Sequence, residues 1–322
     1  MFANLLLSPE PMHIPDGFLS LMVSGLMWLC SIVVIAIALK RVNTDLGERQ
    51  VPLMGVLAAA IFAGQMLNFA VAGGTSGHLM GAALAAILVG PWPAVLVMTT
   101  VVGVQALIFQ DGGLVVLGAN IFNMAVVGVF VANFVYQTVR RLAGGRTWSI
   151  FAGGFLAAWA SIFIAALAVA LELALSGTSP ANLAIPAMAG IHTLIGIGEG
   201  LLTVGALAVI QATRPDLLDA NKQRSTGSAA LWLAGLAIAV LLAIASPLAS
   251  AHPDGLEWVA EQQGFISSAE GPAYSIVPDY VMPGVSNEAA ATIIAGILGI
   301  LLVFGAAVGM VYLRRRRSTT SS

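Results

Sequence analysis

The sequence predicts an all-α polytopic membrane protein, with a seven-helix module followed by a two-helix module that carries an extracytoplasmic loop. Only 9% of its 322 residues are charged and 59% are hydrophobic, whereas soluble proteins carry about 25% charged residues. Long runs rich in Ala, Leu and Val recur along the chain without the alternation of barrel strands. All basic residues fall in alternate connections between these runs. The composition therefore excludes a soluble enzyme, a DNA-binding domain and a disordered scaffold.

Nine apolar runs approach the length of about 20 residues that a transmembrane helix needs. The segment Gly90-Pro91-Trp92-Pro93 predicts a break between the third and fourth runs, because two neighbouring prolines interrupt a helix. The third run is short, so it either starts earlier or is re-entrant. The predicted spans are about 18–40, 52–72, 79–90, 92–109, 118–139, 150–176, 184–212, 229–249 and 289–313.

The positions of Lys and Arg orient these spans. All 13 basic residues follow the first, fifth, seventh or ninth span, and the positive-inside rule places those connections in the cytoplasm. The N-terminus is then outside and the C-terminus is cytoplasmic. The opposite face holds acidic residues and all four histidines, which suits a cation arriving from outside. An acidic outer face also follows from topology alone, because removing Lys and Arg leaves the acids.

Other class signals are few. The net charge of −2 does not indicate a nucleic-acid partner. The single cysteine, Cys30, excludes a disulfide framework and a thiolate cluster. A polar linker at 214–228 divides a module at 12–213 from a two-span module at 229–322, and residues 1–11 form an N-terminal extension without a signal-peptide pattern. The sequence lacks a Walker A motif, so ATP hydrolysis is expected from a partner.

The segment Met12-His13-Ile14-Pro15-Asp16-Gly17 precedes the first span. If translation begins at Met12, then its free amine, the next backbone nitrogen and the His13 ring can close chelate rings on one metal. A fourth nitrogen would complete a square plane, which favours Cu(II) or Ni(II), with Co(II) plausible. Asp16 is a candidate to orient a ring N–H. The competing interpretation is a helix N-cap at Asp16.

Candidate partners for this arm lie elsewhere on the predicted outer side. His78, in Gly73-Gly74-Thr75-Ser76-Gly77-His78, is the natural fourth nitrogen, unless Thr75 or Ser76 simply caps the third span. Asn120 and Asn123 share a helical face and either line a cavity or hold helices together. His192 is a further cavity candidate. Glu172 and Glu199 are the acids within spans, and an intramembrane acid suggests a function; for Glu199 we expect a coupling or structural role.

These motifs resemble a known family. Met12-His-Ile-Pro-Asp-Gly-Phe-Leu19, Gly74-Thr-Ser-Gly-His78, Gln110-Asp-Gly-Gly-Leu114 with Gly118-Ala-Asn-Ile-Phe-Asn123, and Gly190-Ile-His-Thr-Leu-Ile-Gly-Ile-Gly-Glu199 are similar to the substrate-capture (M) component of cobalt/nickel energy-coupling-factor transporters, the CbiM/NikM type. His252-Pro-Asp-Gly-Leu-Glu-Trp258 resembles the small N component with its PDGLE signature.

The resemblance implies a fused M–N protein of a prokaryotic inner or plasma membrane that captures Ni²⁺ or Co²⁺ as its transported substrate, without a catalytic cofactor. It implies metal ligands at Met12, His13 and His78. It also implies that the protein lies in a lipid bilayer and has two kinds of protein partner, a transmembrane coupling (T/Q-type) subunit and cytoplasmic O-type ATPases. Because residues 1–11 would turn the Met12 amine into an amide, we expect translation to start at Met12. The choice between nickel and cobalt stays open.

Two other classes compete with this interpretation. Ser76 and His192 resemble the Ser/His pair of an intramembrane serine protease, although Ser76 lies in a predicted outer loop rather than within the membrane. A stand-alone metal channel or secondary transporter would need no ATPase. From the family resemblance, rather than from either alternative, we expect a transporter component that is not itself an enzyme.

Overall fold

The computed structural model describes residues 13–45, 50–218 and 228–319, and about three quarters of them are helical. The predicted all-α class is confirmed. The main helices are α1 (Leu21–Asp45), α2 (Gln50–Gln65), α3 (Ala82–Val89), α4 (Pro91–Val104), α5 (Leu117–Ile121), α6 (Gly128–Leu142), α7 (Trp148–Ser176), α8 (Ala181–Thr213), α9 (Ser228–Ala245), α10 (Gly255–Gln263) and α11 (Glu288–Thr319). One short hairpin pairs β1 (Phe69–Val71) with β2 (Thr75–Gly77).

Six helical segments of the described residues are long and apolar enough to cross a membrane. They are Leu21–Val42, Pro91–Phe109, Leu117–Leu142, Trp148–Ser176, Ala181–Thr213 and Glu288–Met310. Two of them contain π-helical turns, at Gln105–Phe109 and Phe122–Val127. Two shorter apolar helices, Val51–Gln65 and Trp232–Leu248, fall below that length. The chain is thus a multi-pass membrane protein, but the split into seven plus two crossings is not confirmed.

The predicted break between the third and fourth spans occurs at Gly90. This glycine has φ 81°, and Pro91 begins α4 at a helix position that needs no N–H donor. The helix before the break, α3, has only 8 residues. At 1.5 Å per residue its length is about 12 Å, well short of a hydrocarbon core of about 30 Å.

The second predicted span ends earlier than expected. Its helix stops at Gln65, and the following residues turn through the β1–β2 hairpin instead of continuing to 72. Gly73 and Gly74 make the reversal with φ of 92° and 80°, a region that glycine enters without a Cβ penalty. Thr75 and Ser76 lie in β2, so the interpretation that either starts the third span is wrong.

The last part of the chain packs on the first through α2. Helices α9 and α11 both contact α2, and glycines bring the backbones close together. A Cβ at Gly299 would lie 2.1 Å from the Phe62 ring, and a Cβ at Gly235 would lie 2.2 Å from the Val56 side chain. Small residues at such contacts allow apolar helices to pack tightly in lipid. This packing carries the connection at 249–287 to the end of the bundle where the functional cluster lies.

We call that end the loop end and define it by the segments 13–20, 66–81, 110–116, 177–180 and 249–287. Backbone hydrogen bonds join the first, second, third and fifth of these segments, and the Thr178 hydroxyl joins 177–180 to the Phe18 carbonyl. The Ser76 N–H donates to the Pro253 carbonyl (2.8 Å), and the Glu270 N–H donates to the Asp16 carbonyl (2.7 Å). The segment 249–287 therefore lies against both the N-terminal segment and the β-hairpin.

Candidate metal centre

A cavity of about 100 Å³ lies at the loop end. Apolar side chains form more than half of its wall, many of them from α7 and α8, so the polar groups in it are few and specific. The polar residues that line it are His13, His78, Asn120, Asn123, His192 and Asp254. Three of the four histidines predicted for the outer face thus share one cavity.

His13 and His78 are neighbours in this cavity. Their ring centroids are 5.9 Å apart, with an interplanar angle of 62°. Two imidazoles bound to one metal through bonds of about 2 Å place their centroids about 4 to 6 Å apart. The two rings are therefore close enough to share an ion, although 65 positions separate them in the sequence.

Asp111 holds one nitrogen of the His13 ring. The distance from His13 Nδ1 to Asp111 Oδ1 is 2.7 Å, and both side chains are buried. His13 Nε2 is also buried, and among the described residues it has no hydrogen-bond partner. Once the other ring nitrogen loses its proton, it presents a lone pair, and a carboxylate behind the ring is the arrangement seen at metal-binding histidines.

Tyr280 completes this arrangement from the far end of the chain. Its hydroxyl donates to Asp111 Oδ2 at 2.5 Å. The Tyr280 ring stacks on Phe109 with centroids 4.8 Å apart and an angle of 13°. Burial and the Asp111 charge raise the pKa of Tyr280 well above its usual value, so the hydroxyl keeps its proton and acts as a donor.

The His13–Asp111 contact behaves as an ion pair. Burial opposes the charged form of both groups, but their mutual attraction and hydrogen bond outweigh it. As a result, the pKa of His13 is raised above 6.5 and the pKa of Asp111 is lowered. A metal that binds the His13 ring must therefore displace a proton from it.

His78 is held in the opposite electrostatic state. Burial, with the repulsion of a charged His13, lowers its pKa to about 4, so its ring stays neutral. His78 Nδ1 lies 3.2 Å from the Leu79 carbonyl, which leaves Nε2 as the nitrogen with an available lone pair.

Glu199 fixes the backbone next to His78. Its two carboxylate oxygens accept from Met80 N (2.7 Å) and Gly81 N (3.0 Å). Gln65 Nε2 donates to the Met80 carbonyl at 2.9 Å, so this peptide is held from two sides. Glu199 lies on α8 and is fully buried. The α8 carboxylate therefore anchors the segment that carries His78.

Asp16 does not contact a histidine ring. Its carboxylate accepts hydrogen bonds from the backbone N–H groups of Leu114, Val115 and Val116, at 2.9 to 3.2 Å. Asp16 thus ties the N-terminal segment to the connection at 110–116, and it does not cap α1. The acid that contacts the His13 ring is Asp111, a residue for which the sequence analysis proposed no role.

The two predicted asparagines have separate partners. Asn120 both accepts from the Ile14 N–H and donates to the Ile14 carbonyl, each at 3.1 Å, and so pairs with the backbone next to His13. Asn123 Nδ2 donates to Glu172 Oε2 at 2.8 Å. Both asparagines line the cavity. They thus combine the two roles that the sequence left open, lining a cavity and joining segments.

The predicted Ser76–His192 pair is occupied by other contacts. The Ser76 hydroxyl donates to the His252 carbonyl at 2.8 Å. His192 Nδ1 lies 2.9 Å from the Met188 carbonyl, one turn earlier on α8. His192 lines the cavity, but Ser76 is not among the lining residues. The arrangement of a serine nucleophile beside its base is therefore not seen in this part of the chain.

The remaining predicted ligand, Met12, lies outside the described residues, as does the extension at 1–11. Within the described ranges, no group of three or more His, Cys, Asp or Glu side chains is arranged to hold a metal. A site built on His13 and His78 therefore needs other donors, such as backbone or terminal nitrogens.

Three residues of this cluster were missed by sequence reasoning: Asp111, Tyr280 and Asp254. Asp111 and Asp254 stood inside the quoted glycine-containing motifs, Gln110-Asp-Gly-Gly and Pro-Asp-Gly-Leu-Glu. Acid–glycine motifs on the same predicted face as the histidines were the available signal. Tyr280 offered only its place in Pro278-Asp279-Tyr280, within the outer loop.

The fold and the cavity define a multi-pass helical membrane protein with two neighbouring histidines in one cavity. The family described as the cobalt uptake substrate-specific transmembrane region, CbiM, matches residues 13–217, and the PDGLE domain matches residues 229–316. The chain belongs to the CbiM family and carries a PDGLE domain after the CbiM region.

Two relatives that match over almost their whole length are named as fused transport proteins. A putative fused nickel transport protein NikMN of Archaeoglobus fulgidus is 38% identical over 95% of this chain and all of the relative. The fused nickel transport protein NikMN of Rhodobacter capsulatus is 32% identical over 95% of this chain and 99% of the relative. A crystal structure of a truncated transition metal transporter is 36% identical, covers 62% of this chain and 99% of its own, and superposes with a TM-score of 0.55.

Proposed function

We propose that this protein is the substrate-capture component of an ATP-driven energy-coupling-factor importer for Ni²⁺ or Co²⁺. Membership of the CbiM family and the fused nickel transport relatives support the metal and the process. The relatives include the cobalt transport protein CbiM of Sorangium cellulosum, so the choice between the two ions is left to measurement. Residues 12–213 form the capture module, 214–228 the cytoplasmic linker, and 229–322 the PDGLE-bearing module.

The metal is bound by Met12, His13 and His78. The observation that carries this assignment is the pair of imidazoles in one cavity, a buried His13 and a half-buried His78, with ring centroids 5.9 Å apart. The amine of Met12 and the backbone nitrogen of His13 complete a four-nitrogen set, which suits a square-planar ion. In this proposal translation starts at Met12, because an amide at that position is a poor ligand.

The loop end faces the outside, and the metal enters from there. The four basic connections then lie in the cytoplasm, as the positive-inside rule requires. Capture alone supplies no energy, so a transmembrane T/Q-type subunit and cytoplasmic O-type ATPases drive release inside. The chain contributes the ion specificity, and these partners contribute ATP hydrolysis.

The decisive experiment combines the intact mass of the protein, which identifies its first residue, with a measurement of metal binding. The protein is expressed from its natural gene, its intact mass is measured, and it is titrated with Ni²⁺ and Co²⁺. We expect a chain that starts at Met12 and binds one ion, and we expect His78→Ala to lose that ion. His252→Ala is the matched control, because this exposed outer-loop histidine does not line the cavity.

Two results would contradict the proposal. A chain that starts at Met1 and binds the metal tightly would remove the amine as a ligand. Metal uptake into liposomes by the purified protein alone, without coupling subunit or ATPase, would indicate a channel or secondary transporter. Uptake that needs both partners and ATP supports the energy-coupling-factor assignment.

A further inference from the structure

Tyr280 of the PDGLE-bearing module contacts Asp111, the residue that holds the His13 ring of the proposed metal site. We infer that Tyr280 is a positioning residue of the metal site, which holds Asp111 so that Asp111 holds the His13 ring in place for the incoming ion. This inference rests on the proposed function, because it gives His13 the role of a metal ligand. It assigns the second module a direct part in capture.

The contacts form a continuous chain of buried hydrogen bonds. The Tyr280 hydroxyl donates to Asp111 Oδ2 (2.5 Å), and Asp111 Oδ1 lies 2.7 Å from His13 Nδ1. All three side chains are at most 5% exposed. In such a low-dielectric setting, hydrogen bonds to a charged carboxylate are short and strong. The two oxygens of Asp111 are thus divided between the ring it orients and the hydroxyl that orients it.

The segment around Tyr280 is held in register with the connection that carries Asp111. Val277 N donates to the Ile108 carbonyl at 3.1 Å. The Tyr274 hydroxyl donates to the Leu107 carbonyl at 2.8 Å. The run at 274–280 therefore follows the run at 107–111, and each tyrosine in it has a defined partner.

The Tyr280 ring is also fixed by its surroundings. It stacks on Phe109 and lies 6.0 Å from the Phe62 ring. Asp279 and Tyr280 both have positive φ, 50° and 58°, which non-glycine residues rarely adopt. Backbone in this region persists where surrounding contacts dictate it, and it is concentrated at functional sites. The loop thus adopts an uncommon conformation that brings the hydroxyl to Asp111.

A second residue of the same module reaches the cavity. Asp254, from the PDGLE motif, lines it together with Gly255 and Leu256. Asp254 also caps α10 by accepting from Glu257 N at 2.7 Å. The module therefore contributes both part of the cavity wall and the hydroxyl behind the His13 support. A capture module alone would lack both.

The test compares two tyrosine variants in the full-length protein. Tyr280→Phe removes the hydroxyl on Asp111 but keeps the stacked ring. Tyr274→Phe removes a hydroxyl from the same loop that contacts only a backbone carbonyl, and it is the matched control. Removal of a group that orients a metal ligand typically weakens metal binding about 10- to 100-fold. We expect at least a 10-fold loss for Tyr280→Phe and less than a 2-fold change for Tyr274→Phe.

Two further readouts separate positioning from general destabilisation. Tyr280→Phe combined with Asp111→Asn should bind no more weakly than Asp111→Asn alone, because both changes act through the same contact. At saturating metal, the ligand-field absorption band of Tyr280→Phe should shift from that of the wild type and of Tyr274→Phe. Additive losses in the double variant, or weaker binding with an unchanged band, would overturn the inference.

His13→Ala distinguishes this inference from the proposed function. If His13→Ala loses the metal while Tyr280→Phe binds like Tyr274→Phe, then the positioning role is wrong and the capture site stands. If His13→Ala binds like the wild type, then the proposed metal site itself is wrong, and the positioning role fails with it.

Discussion

Glu199 offers a direct test of how the membrane-spanning part of the chain supports the metal site. Its two carboxylate oxygens accept from Met80 N at 2.7 Å and Gly81 N at 3.0 Å, two and three residues beyond His78. Glu199→Gln replaces one acceptor oxygen with an amide that cannot accept. One of the two backbone N–H groups is then left facing another donor in a fully buried position.

The size of the effect follows from that lost pairing. A buried donor left without an acceptor costs about 1–3 kcal/mol. If the segment moves to relieve this cost, then metal binding must move it back, and the metal affinity falls by about 5- to 150-fold. Glu199→Leu leaves both N–H groups unpaired, so the unfolding temperature and the metal affinity should both fall further than for Glu199→Gln.

The assay is thermal unfolding in detergent with and without Ni²⁺, together with a calorimetric titration of the metal. Glu261→Gln is the matched control, because it makes the same chemical change at an exposed position on α10. We expect the order wild type and Glu261→Gln, then Glu199→Gln, then Glu199→Leu. Equal unfolding temperatures and equal metal affinities for Glu199→Gln and Glu261→Gln would refute the anchoring role.

Three further predictions concern the arm before α1. A Cβ at Gly113 would lie 2.1 Å from Asp16 Oδ1, so Gly113→Ala should lower the unfolding temperature and weaken metal binding. A Cβ at Gly103 would have no atom within 4 Å, so Gly103→Ala should change neither thermal unfolding nor the metal titration. Because the pKa of His13 is raised above 6.5 while that of His78 is lowered to about 4, affinity should already fall as the pH drops toward 6.5; calorimetry showing constant affinity down to about pH 4.5 would contradict this. A chelate through the backbone nitrogen of His13 closes only through Nδ1, so ¹⁵N NMR of the diamagnetic Ni²⁺ complex should show Nδ1 metallated and the hydrogen bond to the carboxylate moved to Nε2; a metallated Nε2 would exclude the chelate.

The roles of the two acids Asp16 and Asp111 in the structure differ from what the sequence suggested. Asp16 is three residues from His13 and was the natural candidate to orient its ring. In the fold, Asp16 accepts from backbone N–H groups at 114–116, and Asp111 takes the ring instead. Sequence proximity was a poor guide because residues 13–16 lie outside any helix, and the side chains of His13 and Asp16 contact different neighbours.

The sequence by itself determined the class of the protein and the ends of most helices. With 9% charged residues, the chain cannot cover a water-exposed surface, and apolar runs in lipid must satisfy their backbone groups as helices. Local chemistry also located the break at Gly90-Pro91, since the missing N–H of proline acts within one turn. The histidine motifs were visible for the same reason, because residue types and glycine turns are local features.

Only the tertiary structure decided which of these features meet. The His13 ring is held by Asp111, which lies 98 positions later in the sequence. Asp111 is held in turn by Tyr280, a further 169 positions along. Such pairings depend on how helices pack and where the connection at 249–287 returns, and no local pattern encodes that distance. The helix that ends at Gln65 rather than 72 is a further case, because hydropathy alone does not distinguish an apolar β-hairpin from a continuing helix. Composition and local chemistry thus specify the membrane helices, whereas the packing of the two modules specifies the site.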